Sequence, residues 1–185
     1  RDHCGTYWCV VTVDDLQEMP SKAEIRKDSS VGIDLGIKDY AILSDGTKFS
    51  NPKHLENAKK KLAHLQKVFA RKEKGSKNYE KMRIKVAKCH RKIANKRNDS
   101  LHNLSSYLVN NYKTICLEDL NVNGMMQNHH LARAIQDASW GEFTRQLQYK
   151  SDWKGDNIIY IGRFEPSSKT CSVCGYKKED LKLSD

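Results

Sequence analysis

Two apolar runs in this chain end in carboxylates. Gly32-Ile33-Asp34-Leu35-Gly36 closes one, and Cys116-Leu117-Glu118-Asp119-Leu120 closes the other. A carboxylate at the mouth of a buried strand is costly unless something there compensates its charge. Two such strands lying side by side would bring both acids to one point, and the simplest partner for the pair is a divalent cation. An all-oxygen site favours Mg²⁺ or Mn²⁺ over softer metals. Two metal ions bridged by carboxylates are a recurrent device for cutting phosphodiesters. Strand alternation puts Ile115 and Leu117 on one face and Cys116 and Glu118 on the other, which selects Glu118 over Asp119. The plain alternative for either acid is a side chain capping a turn at a strand end.

The charge is concentrated in one place. Residues 53–97 hold 17 Lys/Arg against 3 Glu, a surplus of 14 positive charges, while the remainder of the chain sums to −4. Within this stretch apolar residues recur at Leu55, Ala58, Leu62, Leu65 and Phe69, then at Tyr79, Met82, Val86, Cys89 and Ile93. Both series step by 3, 4, 3, 4, which is a helical stripe. Gly75 and its polar neighbours separate them, and the stripe resumes at Leu101, Leu104 and Leu108. The spacing predicts an antiparallel helical hairpin over 53–110, with one apolar seam per helix. A solvated hairpin would mix both signs through i,i+4 pairs. One-sided charge repels itself unless an anion lies against it, and a polyanion such as nucleic acid fits that need. The cationic side chains singled out for this contact are Lys59, Lys60, Lys67, Arg71, Lys74, Lys77, Lys81, Arg83, Lys88, Arg91, Lys92 and Arg97.

The rest of the chain reads as a mixed sheet with helices against it. Strands are expected at 6–13, 31–37, 38–43, 47–50, 113–118 and 157–161, with Ser44-Asp45-Gly46-Thr47 as a hairpin turn. Asn51-Pro52 is expected to open the first long helix, with Pro in its first turn. Residues 14–30 read as a polar linker, and 130–150 as helix broken near Gly141. No run of 18 apolar residues and no secretory signal is present, so no membrane partner is expected. The chain begins at Arg1 and stops at Asp185 without a closing element, which reads as a segment cut at both ends.

The cysteines are Cys4, Cys9, Cys89, Cys116, Cys171 and Cys174. Their spacing is not that of a disulfide framework, which points to a reducing compartment. Cys89 and Cys116 are expected to be small core residues. Cys171-Ser172-Val173-Cys174-Gly175 has the shape of a zinc knuckle: a tight turn aims backbone N–H groups at two thiolates. The rival is a redox pair, which ordinarily opens a helix. Two cysteines are half of a closed zinc site: the other half is expected beyond Asp185, the alternative being an incomplete site. Of the histidines, His54, His64 and His90 are expected to add to the basic face, and His129-His130 to lie in a polar loop.

Gly-Ile-Asp-Leu-Gly also occurs in the first phosphate loop of actin- and hexokinase-type ATPases. That fold needs a second Gly-rich phosphate loop, and this chain has 10 Gly and no Gly-Gly pair. Taken together, other segments point elsewhere. G-I-D-L-G (32–36), the basic helices, L-E-D-L-N-V-x-G-M (117–125), N-H-x-L-A-R-A-I-x-D-A-x-W (128–140) and R-F-x-P-S-S-K-T-C-S-x-C-G (163–175) occur in this order. In that order they resemble the TnpB-type proteins of bacterial insertion sequences, the OrfB transposases, relatives of the compact type V CRISPR effectors.

The resemblance implies an α/β fold: an RNase H-like (RuvC) core with a mixed sheet, a long basic helical hairpin and part of a zinc ribbon. It implies an N-terminal tail and linker at 1–30, a nuclease core at 31–165 and the first half of the ribbon at 166–185. It further implies an RNA-guided DNA endonuclease, with guide RNA and target DNA as partners and Mg²⁺ (or Mn²⁺) and Zn²⁺ as cofactors, in the bacterial cytoplasm at the nucleoid. By the family motif Asp34 is the first metal-binding acid, Glu118 the second, and Cys171 and Cys174 the first zinc ligands. The family's third acid and second Cys pair follow in a stretch that this sequence does not contain. A catalytically inactive nucleic-acid-binding protein of the same fold is the competing expectation.

Overall fold

The computed structural model describes residues 1–14, 18–162, 174, 176 and 177. Ser30–Leu35 (β1), Asp39–Leu43 (β2) and Lys48–Ser50 (β3) form an antiparallel meander. Thr114–Glu118 (β4) and Asn157–Ile161 (β5) add to β1 in parallel, giving the order β3-β2-β1-β4-β5. The Asp45-Gly46 turn forms where the sequence placed it. Gly46 takes φ +90°, a region in which a side chain is disfavoured, and its N–H donates to the Leu43 carbonyl at 2.9 Å.

The helices are His54–Ala70 (α1), Lys77–Asn111 (α2), Val122–Met125 (α3), Ala132–Ala138 (α4) and Trp140–Lys154 (α5). α4, α5 and the C-terminal half of α2 cover one face of the sheet, while α1 packs against α2. Val31, Ile33, Leu43, Ile115 and Leu117 from the strands meet Leu104 and Leu108 of α2 and Phe143 and Leu147 of α5 in one core. A register shift between Asp39 and Ala41 turns Tyr40 and Ala41 both inward. Tyr40 then packs edge-on to Phe143, ring centroids 5.5 Å apart, and its hydroxyl donates to the Ala138 carbonyl at 3.0 Å. The opposite face carries Gly32, Asp34, Cys116, Glu118, Ile159 and Ile161, and its side chains are half-buried or exposed.

The helical stripes at 55–69 and 79–108 become α1 and α2, and the second is a single helix of 35 residues, about 52 Å long. The two run antiparallel. Phe69 and Tyr79 meet at the turn with ring centroids 4.7 Å apart, and His54 bonds Ser100 at the other end.

Four local expectations are corrected. Residues 6–13 form no strand: Val10 is 90% exposed and nothing pairs with the segment among the described residues. High β propensity without a neighbouring edge yields no ladder. Asp2 instead ties the N-terminus together and to α2, accepting from the Thr6 N–H, the Trp8 indole and Arg91. Pro52 lies ahead of α1 rather than within its first turn. The helix starts after Lys53, held at φ +46°, and Asp137 of α4 accepts the Leu55 N–H at 2.9 Å. A distant side chain thus supplies the cap that no neighbour provides. The break expected near Gly141 falls at Ser139, φ +53°, because Ala138 and Trp140 on either side are both buried and must turn inward. Cys116 is half-buried on the open face rather than a core residue, and Cys89 lines a groove of the hairpin. The linker at 18–29 is pinned to β5: the Ala23 N–H donates to Gly155, and the Asn157 amide donates back to the Ala23 carbonyl.

Candidate metal centre and nucleic-acid interface

In the parallel pair of β1 and β4, Gly32 stands opposite Cys116 and Ile33 opposite Leu117. Asp34 and Glu118 are therefore the next residues in register, and both point away from the buried Ile33 and Leu117. Adjacent strands are about 4.8 Å apart, so the two carboxylates share one small volume. Burial, followed by the charge of Glu118, pushes the Asp34 carboxyl above the usual carboxylate range. Asp119, one residue on, instead lies near Tyr160, whose phenol is raised by burial and by Asp119's charge. Strand alternation thus selected the acid that the register sets beside Asp34. Gly36 ends the strand in a close turn, where a Cβ would lie 2.8 Å from the Asp39 carbonyl oxygen. That explains the last glycine of the motif around Asp34.

Two like charges brought together with oxygen donors alone suit a hard divalent cation. Among the described residues, no group of three or more His, Cys, Asp or Glu clusters as a metal site. Asp34 and Glu118 are the donors that the described chain brings together.

The pairing of Asp39 with Ser50 puts the last residue of β3 at the same end of the sheet as Asp34. The helical hairpin begins there. The other end is marked by the Tyr112 hydroxyl, which donates to Asp45 at 2.6 Å. The cationic hairpin accordingly starts at the end of the sheet where β1 and β4 carry the two acids.

Lys59, Lys60, Lys67, Arg71, Lys74, Lys77, Lys81, Lys88 and Lys92 are exposed on it. Lys59 also pairs with Glu56 at 3.0 Å, and Arg83 with Glu80 at 2.8 Å. Arg91 is committed to Asp2 and Thr6, and Arg97 to Asp137 at 2.9 Å. These two guanidiniums hold segments of the chain together as well as adding charge. Between α1 and α2 runs a groove of about 560 Å³, flanked by Lys61, Lys85, Lys88, Lys92 and Lys96 over a floor of Leu65, Cys89 and Ile93. Lys61, Lys85 and Lys96 were not singled out from the sequence. The 3, 4, 4 spacing of Lys85, Lys88, Lys92 and Lys96 was the signal that could have found them.

His54 is not part of the solvated basic face. It sits half-buried at the hairpin root, 2.8 Å from the Ser100 hydroxyl, and burial pushes its pKa down against the pull of Asp137. His129 and His130 are exposed and line a cleft of about 500 Å³ with Lys53 and Arg133. Cys171 lies outside the described residues, and Cys174 is an exposed free thiol.

The family model OrfB_IS605, described as a probable transposase, matches residues 10–129, and the Cas12f1-like TNB domain matches residues 140–184. A Streptomyces pristinaespiralis protein named as an RNA-guided DNA endonuclease is 41% identical over 100% of this chain and 45% of its own length. InsQ of Escherichia coli K12, named likewise, is 32% identical over 98% of this chain and 48% of its own. The chain thus spans about half the length of these relatives. A solved Cas12f1–sgRNA–target DNA complex shares the fold, with a TM-score of 0.56 at 17% identity over 89% of this chain and 35% of that one. The mixed sheet with helices on one face, the motifs at 32–36 and 117–125 and these matches agree: the chain belongs to the OrfB family of insertion-sequence transposases.

Proposed function

We propose that this chain is the catalytic part of an RNA-guided DNA endonuclease. Residues 31–165 would be its RNase H-like (RuvC) core, 53–110 its basic helical insertion, and 166–185 the opening half of a zinc ribbon after the tail at 1–30. The observation that carries the reading is the register of β1 and β4, which brings Asp34 and Glu118 together on one face of the sheet. Relatives named as RNA-guided DNA endonucleases support it.

Asp34 and Glu118 would hold Mg²⁺ or Mn²⁺ between them. Bound there, divalent ions lower the pKa of an attacking water and stabilise the leaving 3′-oxygen of a phosphodiester. The chain's own part is to fix two carboxylates on rigid neighbouring strands and to hold the polyanion over them. Lysines of the hairpin would grip the backbone of guide RNA or of its duplex with target DNA, while base pairing reads the sequence. Cys171 and Cys174 would supply two zinc ligands; Cys174, exposed and outside any disulfide, has the thiol this requires. No helix among the described residues is long and apolar enough to cross a membrane, and a DNA target would place the protein at the nucleoid.

Guide-directed, Mg²⁺-dependent cleavage by a full-length family protein carrying this segment tests the reading. Asp34→Ala and Glu118→Ala are each expected to abolish cutting while leaving RNA binding intact, and undiminished cutting by either variant overturns it. One observation favours binding without cleavage: only two acids converge among the described residues. Wild-type protein that binds guide RNA and never cuts would establish that second reading.

A further inference from the structure

A third cavity lies at the hairpin root, about 360 Å³, walled by β3 and the start of α1 on one side and by α2 and α4 on the other. Phe49 and Tyr107 form its aromatic wall, edge to face with centroids 5.4 Å apart, and Tyr107 is 40% exposed. Asn103 contributes an exposed amide with no hydrogen bond to the described residues. Arg97 also lines the cavity, and its Nε is buried without a partner. His54 lines both this cavity and the lysine groove, so the two lie side by side across its ring. We propose that the cavity receives one nucleobase of the strand whose phosphates lie on that groove.

The proposal rests on the nucleic-acid reading above and names a subsite within it. The groove offers cations for phosphates, and the cavity offers what a base requires. An aromatic wall accepts the π-face of any base, and a carboxamide can pair with a donor–acceptor edge such as that of adenine. From Lys96 to Asn103 is about 10 Å along the helix, a span that a splayed-out nucleotide covers from backbone to base edge. A site built only for packing would bury Tyr107 and leave no amide at its rim.

The test uses this 185-residue chain and a short single-stranded DNA with 2-aminopurine placed at each position in turn. Fluorescence is expected to be quenched at one position. A strand made abasic there should bind roughly 5- to 100-fold more weakly. Asn103→Ala and Tyr107→Leu should each remove the quenching and weaken the intact strand, leaving the abasic strand's affinity unchanged. Lys88→Ala with Lys92→Ala should weaken both strands alike. Circular dichroism confirms the fold of each variant, and Asn103→Ala, at an exposed helical position, keeps the test open if Tyr107→Leu unfolds. Equal affinity for intact and abasic strands, or quenching that survives both cavity variants, overturns the cavity proposal and leaves the groove standing. Failure to bind any strand overturns both.

Discussion

Between Lys77 and Arg97, helix α2 buries only Ile93, whereas between Asn98 and Asn111 it buries Leu101, Leu104, Ser105, Leu108 and Val109. No proline or glycine separates the halves. The C-terminal half is a core element whose partners are strands and α5, and its Ser105 hydroxyl donates to the Leu101 carbonyl and accepts from Lys150 of α5. The N-terminal half packs chiefly against α1, with Arg91 bonded to the N-terminal segment, and carries most of its cations outward. Folding of the first depends on apolar burial within the chain. The second holds repelling charges together and gains most from a partner of opposite sign. One helix thereby joins the charged surface to the core of the sheet whose central strands carry Asp34 and Glu118.

The largest effect expected from breaking this division of labour lies at the acids. Asp34→Ala or Glu118→Ala should lower cleavage by a full-length family protein by about 10³-fold or more, with melting temperature essentially retained. A drop of tenfold or less would put the metal site elsewhere. Next comes the core half of the helix. Leu108→Ala should cost about 2–5 kcal/mol by denaturant unfolding, and Leu65→Ala, half-buried in the hairpin, clearly less. Equal costs would erase the distinction between the two halves.

Arg97 marks the boundary and sharpens it. Its removal leaves Asp137 without its ion-pair partner, so Arg97→Ala should destabilise by about 1–3 kcal/mol. Lys88→Ala and Lys92→Ala should stay within about 0.5 kcal/mol of wild type, yet each should lower the salt slope of nucleic-acid binding by about one.

The smallest effect is electrostatic. The folded chain holds the Asp34 proton more tightly than the unfolded chain does, so ionising Asp34 costs stability. That cost is absent below the ordinary carboxylate range and complete once pH exceeds the raised folded value. At neutral pH Asp34→Asn should therefore raise the melting temperature by about a degree or two, given the group's partial exposure. Mg²⁺ should raise the melting temperature of the wild type and not of Asp34→Asn; a shift in both would place the ion elsewhere.

The stripes at Leu55–Phe69 and Tyr79–Leu108 were legible in the sequence because helical periodicity is a local property, and so was the Asp-Gly turn at 45–46. The choice of Glu118 over Asp119 was legible for the same reason, since alternation along one strand needs no knowledge of its neighbours. The start of α1 was not. Its cap is Asp137, 82 residues away, and no local rule could find it. The strand expected at 6–13 failed because propensity describes readiness to pair and cannot create an edge to pair with. His54 was misassigned to the solvated face because its burial depends on where α2 passes.

The sequence by itself determined the type and order of most elements, the sign of the hairpin's charge and the family motifs, all of which depend on residues near one another in the chain. The tertiary structure decided the rest: that β4 lies beside β1 in the register that joins Asp34 to Glu118, that Arg91 and Arg97 serve the fold, and that a lysine groove and an aromatic cavity share His54 as a wall. Those arrangements follow from closing long loops and burying one common core, where each contact depends on every other.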